Sequence, residues 1–119
     1  MSFSRTAKGR ALRSLARTKE KAQRLEFTLR LQGQEDQAGE VDSQTHELAK
    51  QIDQLIKEAM TEWLGNAAKI EAELRANNDK LQRSIRNIQR NVQTANNIAK
   101  AISYIDDAVS IAGRLLSPM

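Results

Sequence analysis

The sequence predicts an all-α fold, built as a long helical hairpin or a coiled-coil bundle and completed by association with further helices. Three observations carry this expectation. Among 119 residues there are five glycines and one proline, and the proline is Pro118. Gln, Asn, Ala, Leu, Ile, Lys, Arg and Glu dominate, which is the composition of long helices. Only Phe3, Phe27, Trp63 and Tyr104 are large aromatics, so the core must be a thin seam of Ile, Leu, Val and Ala. Finally, Leu74, Leu81, Ile88, Ala95, Ile102, Val109 and Leu116 recur every seventh residue, with Asn78, Ile85, Val92 and Ala99 offset by four. That spacing is a coiled-coil seam.

The first element is a basic N-terminal arm, residues 1–32, expected to be helical. Residues 1–24 hold eight Lys or Arg side chains against Glu20 alone, whereas residues 25–49 hold six acids against Arg30. On a helix, Arg10, Arg13, Arg17, Lys21 and Arg24 form one cationic stripe. Such a stripe can follow phosphates, lie on an anionic membrane surface or dock on an acidic protein. The plainer reading is a solvated face, or one paired internally with the acids of residues 35–47. Stacking on single-stranded bases is disfavoured, because aromatic platforms are missing apart from Phe3. The segment 24–32 is ambiguous: Leu25, Phe27, Leu29 and Leu31 alternate as in a strand, yet Ala22, Leu25 and Leu29 also fit a helix. Helix is the better fit, since a lone strand would find no partner inside an all-helical chain.

Residues 33–42, "GQEDQAGEVD", are polar with two glycines and read as a linker. From residue 43 to 119 the pattern is helical. Asp42 or Ser43 can cap the start, and Glu47 suits the positive end of the helix dipole. Leu48, Ile52, Leu55, Ile56, Ala59 and Trp63 then line one face. At residues 64–67 two readings stay open. The apolar stripe continues in phase through Ala67, Ile70 and Leu74, which permits one continuous helix. Gly65-Asn66 is also what a left-handed C-terminal cap prefers, which makes a turn with Trp63 at its apex. In the hairpin reading, residues 5–32 and 43–64 lie end to end along a single helix spanning residues 67–116. The oligomer seam is assigned to Leu81, Ile85, Ile88, Val92, Ile102 and Val109, widening where Ile98, Ile105 and Ala112 join it. Arg83, Arg86 and Arg90 lie opposite the seam. Asn78 falls within it, where a buried amide can fix register. Gly113, Arg114 and Pro118 mark the stop.

"WLGNAA" resembles the Trp-X-Gly turn of the small helical-hairpin proteins exported by type VII secretion systems, with Trp63, Gly65, Ala67 and Ala68 at the matching positions. Tyr104 followed by Asp106 and Asp107 is similar to that family's C-terminal tyrosine and acid, though the family's acid stands four residues on. The resemblance covers roughly residues 43–108, and the basic arm has no counterpart in it. It implies two helices flanking the corner and export as the fate of the chain.

Catalytic constellations are not visible. There is no cysteine. His46 is the sole histidine; on a helix Asp42, Lys50 and Asp53 are its neighbours, and Asp42 with His46 could supply two metal ligands, where zinc needs three or four. Asp106 and Asp107 are adjacent, about 100° apart on a helix, and do not converge as an acid–base pair. Asp106 falls near the seam, where it can form a polar layer or pair with Arg114 of a neighbouring chain. The expectation is a protein without enzyme activity, metal, cofactor or small-molecule substrate. No apolar run approaches the roughly 18 residues of a spanning helix, and the charged N-terminus lacks a following apolar stretch. A cytoplasmic location is the default; signal-less export would leave the same features. The function expected is helical interaction or oligomerisation, as a scaffold, adaptor or small secretion-linked subunit. Two alternatives stand beside it: a Trp-X-Gly export substrate, and a basic bundle binding nucleic acid or an anionic membrane. The partners anticipated are other copies, partner helices or an acidic protein.

Overall fold

A computed structural model describes residues 6–58 and 62–116. They are all-α: α1 (Ala7–Leu31), α2 (Glu35–Lys57), α3 (Ala67–Gln89) and α4 (Thr94–Gly113), with no strand among the described residues. The segment 24–32 is therefore helix. Leu25 and Leu29 are fully buried, and the alternation arises because Phe27 and Leu31 point outward.

α1 begins where the Thr6 hydroxyl accepts the Gly9 N–H at 2.9 Å. It ends at Gly33, whose φ of +76° is left-handed. The linker expected over 33–42 shrinks to three residues, because α2 starts at Glu35. Gly39 costs that helix about 1 kcal/mol relative to alanine. Ala38 and Val41, both fully buried, offset that cost, and Glu35 and Asp36 in the first turn favour the positive end of the dipole. The cap expected at Asp42 or Ser43 accordingly lies inside a helix.

The corner at Gly65 is a true turn, so the continuous rod is excluded. Gly65 has φ +77°, and the Asn66 side chain caps α3 by accepting the Lys69 N–H at 3.1 Å. Trp63 is buried, its indole N–H donating to the Leu55 carbonyl at 3.2 Å. The Leu64 N–H donates to the Leu115 carbonyl at 2.9 Å, tying the corner to the end of α4. Ala59 falls outside the described residues.

The single helix expected from Leu74 to Leu116 is a correction. It breaks at residues 90–93, where Asn91 and Gln93 take positive φ of 57° and 43°. The Asn97 amide closes this turn onto the Val92 and Gln93 carbonyls at 2.9 and 3.2 Å. The break resets the helical phase. Before it the seam is obeyed: Leu74, Asn78, Leu81, Ile85 and Ile88 are buried. After it the buried stripe is Ile98, Ala101, Ile105, Ala108 and Ala112, while Ala95 and Ala99 are exposed.

The four helices make a bundle 44 × 24 × 21 Å. α1 packs on α2 and α3 on α4 as antiparallel hairpins, and α1 also packs on α3 and α2 on α4. These cross-hairpin neighbours run parallel, so the chain from α2 to α3 crosses the end of the bundle diagonally. The two arms expected to fold back at the tryptophan corner thus stand at opposite corners rather than as one hairpin.

Polar side chains bridge both parallel pairs. The Thr18 hydroxyl donates to Asn78 Oδ1 at 2.6 Å, and Asn78 Nδ2 donates to the Ser14 carbonyl at 3.1 Å. On the other side Gln44 and Gln51 donate to the Ile102 and Val109 carbonyls at 3.0 and 2.9 Å. Donors and acceptors are each seven residues apart, which only parallel helices in one register can repeat.

Candidate interaction surface

Charge is segregated between the two parallel pairs. α1 and α3 together carry thirteen Lys or Arg against five Asp or Glu, while α2 and α4 carry three against eight. One layer is therefore net +8 and the opposite layer net −5. The predicted stripe lies on the basic layer: Arg10, Arg13, Arg17 and Arg24 are exposed along α1.

Lys21 is set slightly inward, half-buried, and donates to Gln82 Oε1 of α3 at 2.6 Å. Burial pushes its ammonium below the ordinary lysine value, and the flanking Arg24 and Arg17 push it further in the same direction. Arg13, Arg17 and Arg24 form no ion pair with any described residue, and neither do Arg83, Arg86 and Arg90 on the adjoining α3 and its end. Several ion pairs among the described residues lie elsewhere. Arg30 joins Glu26 and Glu35 at 3.0 and 2.7 Å, Lys57 joins Asp53 at 3.3 Å, and Arg114 pairs with Glu73. Internal pairing with residues 35–47 thus reaches Arg30 but not the stripe arginines Arg13, Arg17 and Arg24.

Beyond Arg24 the same exposed stripe turns apolar. Phe27 is 66% and Leu31 74% exposed. With Arg24, Thr28 and Gln89 they line a groove of about 540 Å³ between α1 and the end of α3. Sequence reasoning missed this pair as a surface, although the signal was present: neither residue falls on the Ala22–Leu25–Leu29 stripe.

The predicted oligomer seam is placed differently. Leu81, Ile85 and Ile88 are buried against the chain's own helices, Ile102 and Val109 are half-buried on α4, and Val92 is 47% exposed in the 90–93 turn. The six do not form one outward face. Asn78 bridges α3 to α1 within one chain, through Thr18 and the Ser14 carbonyl. Asp106 accepts from Gln44 Nε2 at 2.6 Å, while Arg114, the partner expected for it, pairs with Glu73. His46 is exposed, 3.6 Å from the Asp42 carboxylate. Among the described residues no three His, Asp or Glu side chains gather as a metal site would require, and no helix is long and apolar enough to cross a membrane. No family model, curated protein or solved structure matches this chain.

Proposed function

We propose that this chain is a non-enzymatic helical interaction protein, a scaffold or adaptor, that assembles with further copies of itself by setting the basic α1–α3 layer of one molecule on the acidic α2–α4 layer of the next. The observation that carries it is the opposite net charge of the two layers. A face of 44 by 24 Å offers on the order of 1,000 Å² per copy, against the ~800 Å² per partner of a standard interface. The exposed Phe27 and Leu31 supply apolar contact beside Arg24, which a protein surface can use and a phosphate backbone cannot. Such a contact joins unlike faces, so repetition gives rings or open filaments rather than closed dimers. The cytoplasm is the default place for it to act.

Sedimentation velocity across a salt series tests the reading. Association is expected at low ionic strength and should fade as the Debye length drops to about 8 Å near 0.15 M salt. Reversing Arg13, Arg17 and Arg24 to Glu should abolish it. Mixing that variant with an Asp36→Lys, Glu40→Lys chain should restore pairing. A monomer at every concentration and salt, in every mixture, overturns the proposal.

A second reading rests on the same unpaired arginines: docking on nucleic acid or an anionic membrane. Steep, salt-sensitive binding to duplex DNA or acidic vesicles by a chain that stays monomeric would favour it. The export reading draws on the ordered Trp63–Gly65–Asn66 corner, and genes for a secretion ATPase beside this one would support it.

A further inference from the structure

We propose that the groove between α3 and α4, at the edge of the basic α1–α3 layer, is a binding site for a phosphoryl group, one that does not depend on the assembly proposed above. Three cations line it: Lys80 and Arg83 from α3 and Lys100 from α4. None forms an ion pair with a described residue, and no carboxylate lines this groove. Lys80 also borders the adjoining groove, where Glu73 and Asp107 stand; Arg83 and Lys100 therefore define the site.

A second observation points to a ligand independently of charge. Ser84 lines the same groove; the residue is only 4% exposed, but its hydroxyl makes no hydrogen bond with any described residue and keeps access to the groove. A buried serine in a helix ordinarily returns its proton to a carbonyl one turn back, as Thr45 does to Val41 at 2.9 Å. The half-buried side chains of Asn87 and Tyr104 line the groove without such bonds as well. The groove thus presents three positive charges and three uncommitted hydrogen-bonding groups.

Its walls are fixed. Asn77 Nδ2 donates to the Tyr104 carbonyl at 2.7 Å, which locks α3 to α4, and Asn97 holds the 90–93 turn. At about 200 Å³ the groove falls below the roughly 300 Å³ of a drug-sized pocket, and it suits one compact oxyanion. A phosphate dianion offers several acceptor oxygens to cations and neutral donors together. A lone carboxylate, with two oxygens, would leave part of this set unused.

The test is a titration of the intact chain with inorganic phosphate at constant ionic strength, read by amide NMR. Saturable shifts confined to Ser84, Asn87, Asn97 and their neighbours are expected. Arg83→Gln with Lys100→Gln should weaken binding about tenfold or more, since two charge-assisted bonds are lost. Ser84→Ala should weaken it a few-fold, whereas Arg13→Glu with Arg17→Glu should leave it unchanged. Two further probes separate the sources of the phosphoryl group. Tighter binding of a sugar monophosphate points to a small phosphorylated ligand, and tighter binding of a short oligonucleotide without terminal phosphate points to a nucleic-acid backbone. If phosphate shifts these amides no more than chloride does, or if the double variant binds as the wild type does, the site does not exist.

Discussion

Gly33 and Gly65 share a left-handed φ, +76° and +77°, but differ in surroundings. A Cβ at Gly33 meets nothing within 4 Å, whereas one at Gly65 stands 3.0 Å from Ile70 Cδ1 and 3.3 Å from the Arg114 carbonyl oxygen. Alanine at either site incurs the left-handed penalty of about 1–2 kcal/mol, reduced by ~0.4–1 kcal/mol because the unfolded chain also loses freedom. Gly33→Ala should therefore cost about 0–1.6 kcal/mol. At Gly65 the new methyl also crowds the buried Ile70 and the backbone carbonyl of Arg114; overpacking adds ~1–3 kcal/mol. Gly65→Ala should then be about 2 kcal/mol worse than Gly33→Ala. For a chain of this length that difference is roughly 6–12 °C in Tm.

Urea and thermal unfolding followed by far-UV circular dichroism measure both variants. The fluorescence of Trp63, the single tryptophan and a buried one, gives a second probe. Asparagine refines the comparison, because it tolerates the left-handed region. Gly33→Asn should recover most of the loss, while Gly65→Asn should not, the obstacle there being space. Equal stabilities for the two alanine variants, or the reverse order, would refute the close packing of the corner against Ile70 and α4.

Other substitutions test other parts of the structure. Leu81→Ala should lose about 2–5 kcal/mol by opening a cavity, whereas Val92→Ala, in the exposed turn, should stay within about 0.5 kcal/mol of wild type; chemical denaturation measures both. Asn78→Ala leaves the buried Thr18 hydroxyl and Ser14 carbonyl without their cross-helix partner and should cost about 1–3 kcal/mol. Gln51→Met removes both a bond to the Val109 carbonyl and a buried, unpartnered Oε1. Stability should thus change by under about 1 kcal/mol, while slower hydrogen exchange in α4 would contradict the register role. Arg24→Gln removes a cation that holds Lys21 down, so the Lys21 pKa should rise, as read from its side-chain carbon shifts. The sign for stability follows: a depressed lysine penalises the folded state while charged, and the penalty lifts as pH rises through the folded value toward 10.5.

Periodic segments were legible because burial imposes the period. Leu48 and Leu55, or Leu74 and Leu81, declare one face by their spacing alone. So does the corner by its residue types, since Gly65 and Asn66 are what positive φ and a helix cap each select. The start of α2 was not legible: glycines and charges in residues 33–42 favour a loop locally, and only the burial of Ala38 and Val41 reverses that. The break at 90–93 was masked by coincidence, because Ala95, Ile102 and Val109 continue the heptad on paper although the phase has changed. The polar run Asn91, Gln93, Asn96 and Asn97 was the available signal. The exposed line of Arg10, Arg13, Arg17 and Arg24 is legible from helical spacing, but its extension onto α3 depends on a parallel pairing that no local pattern encodes. The same holds for Ser84, which in the sequence is one serine among several.

The diagonal passage from α2 to α3 bears on the order in which the molecule forms. Each antiparallel pair closes through a short turn, so either can zip up from nearby residues at little entropic cost. Thr18 and Asn78, by contrast, meet across sixty positions of chain, and Gln51 meets Val109 across fifty-eight. On loop-closure grounds those bridges are expected to form after the two local pairs, late on the route to the native state. Weakening them should therefore hasten unfolding far more than it slows refolding, and the molecule's lifetime would rest on its most distant handshakes.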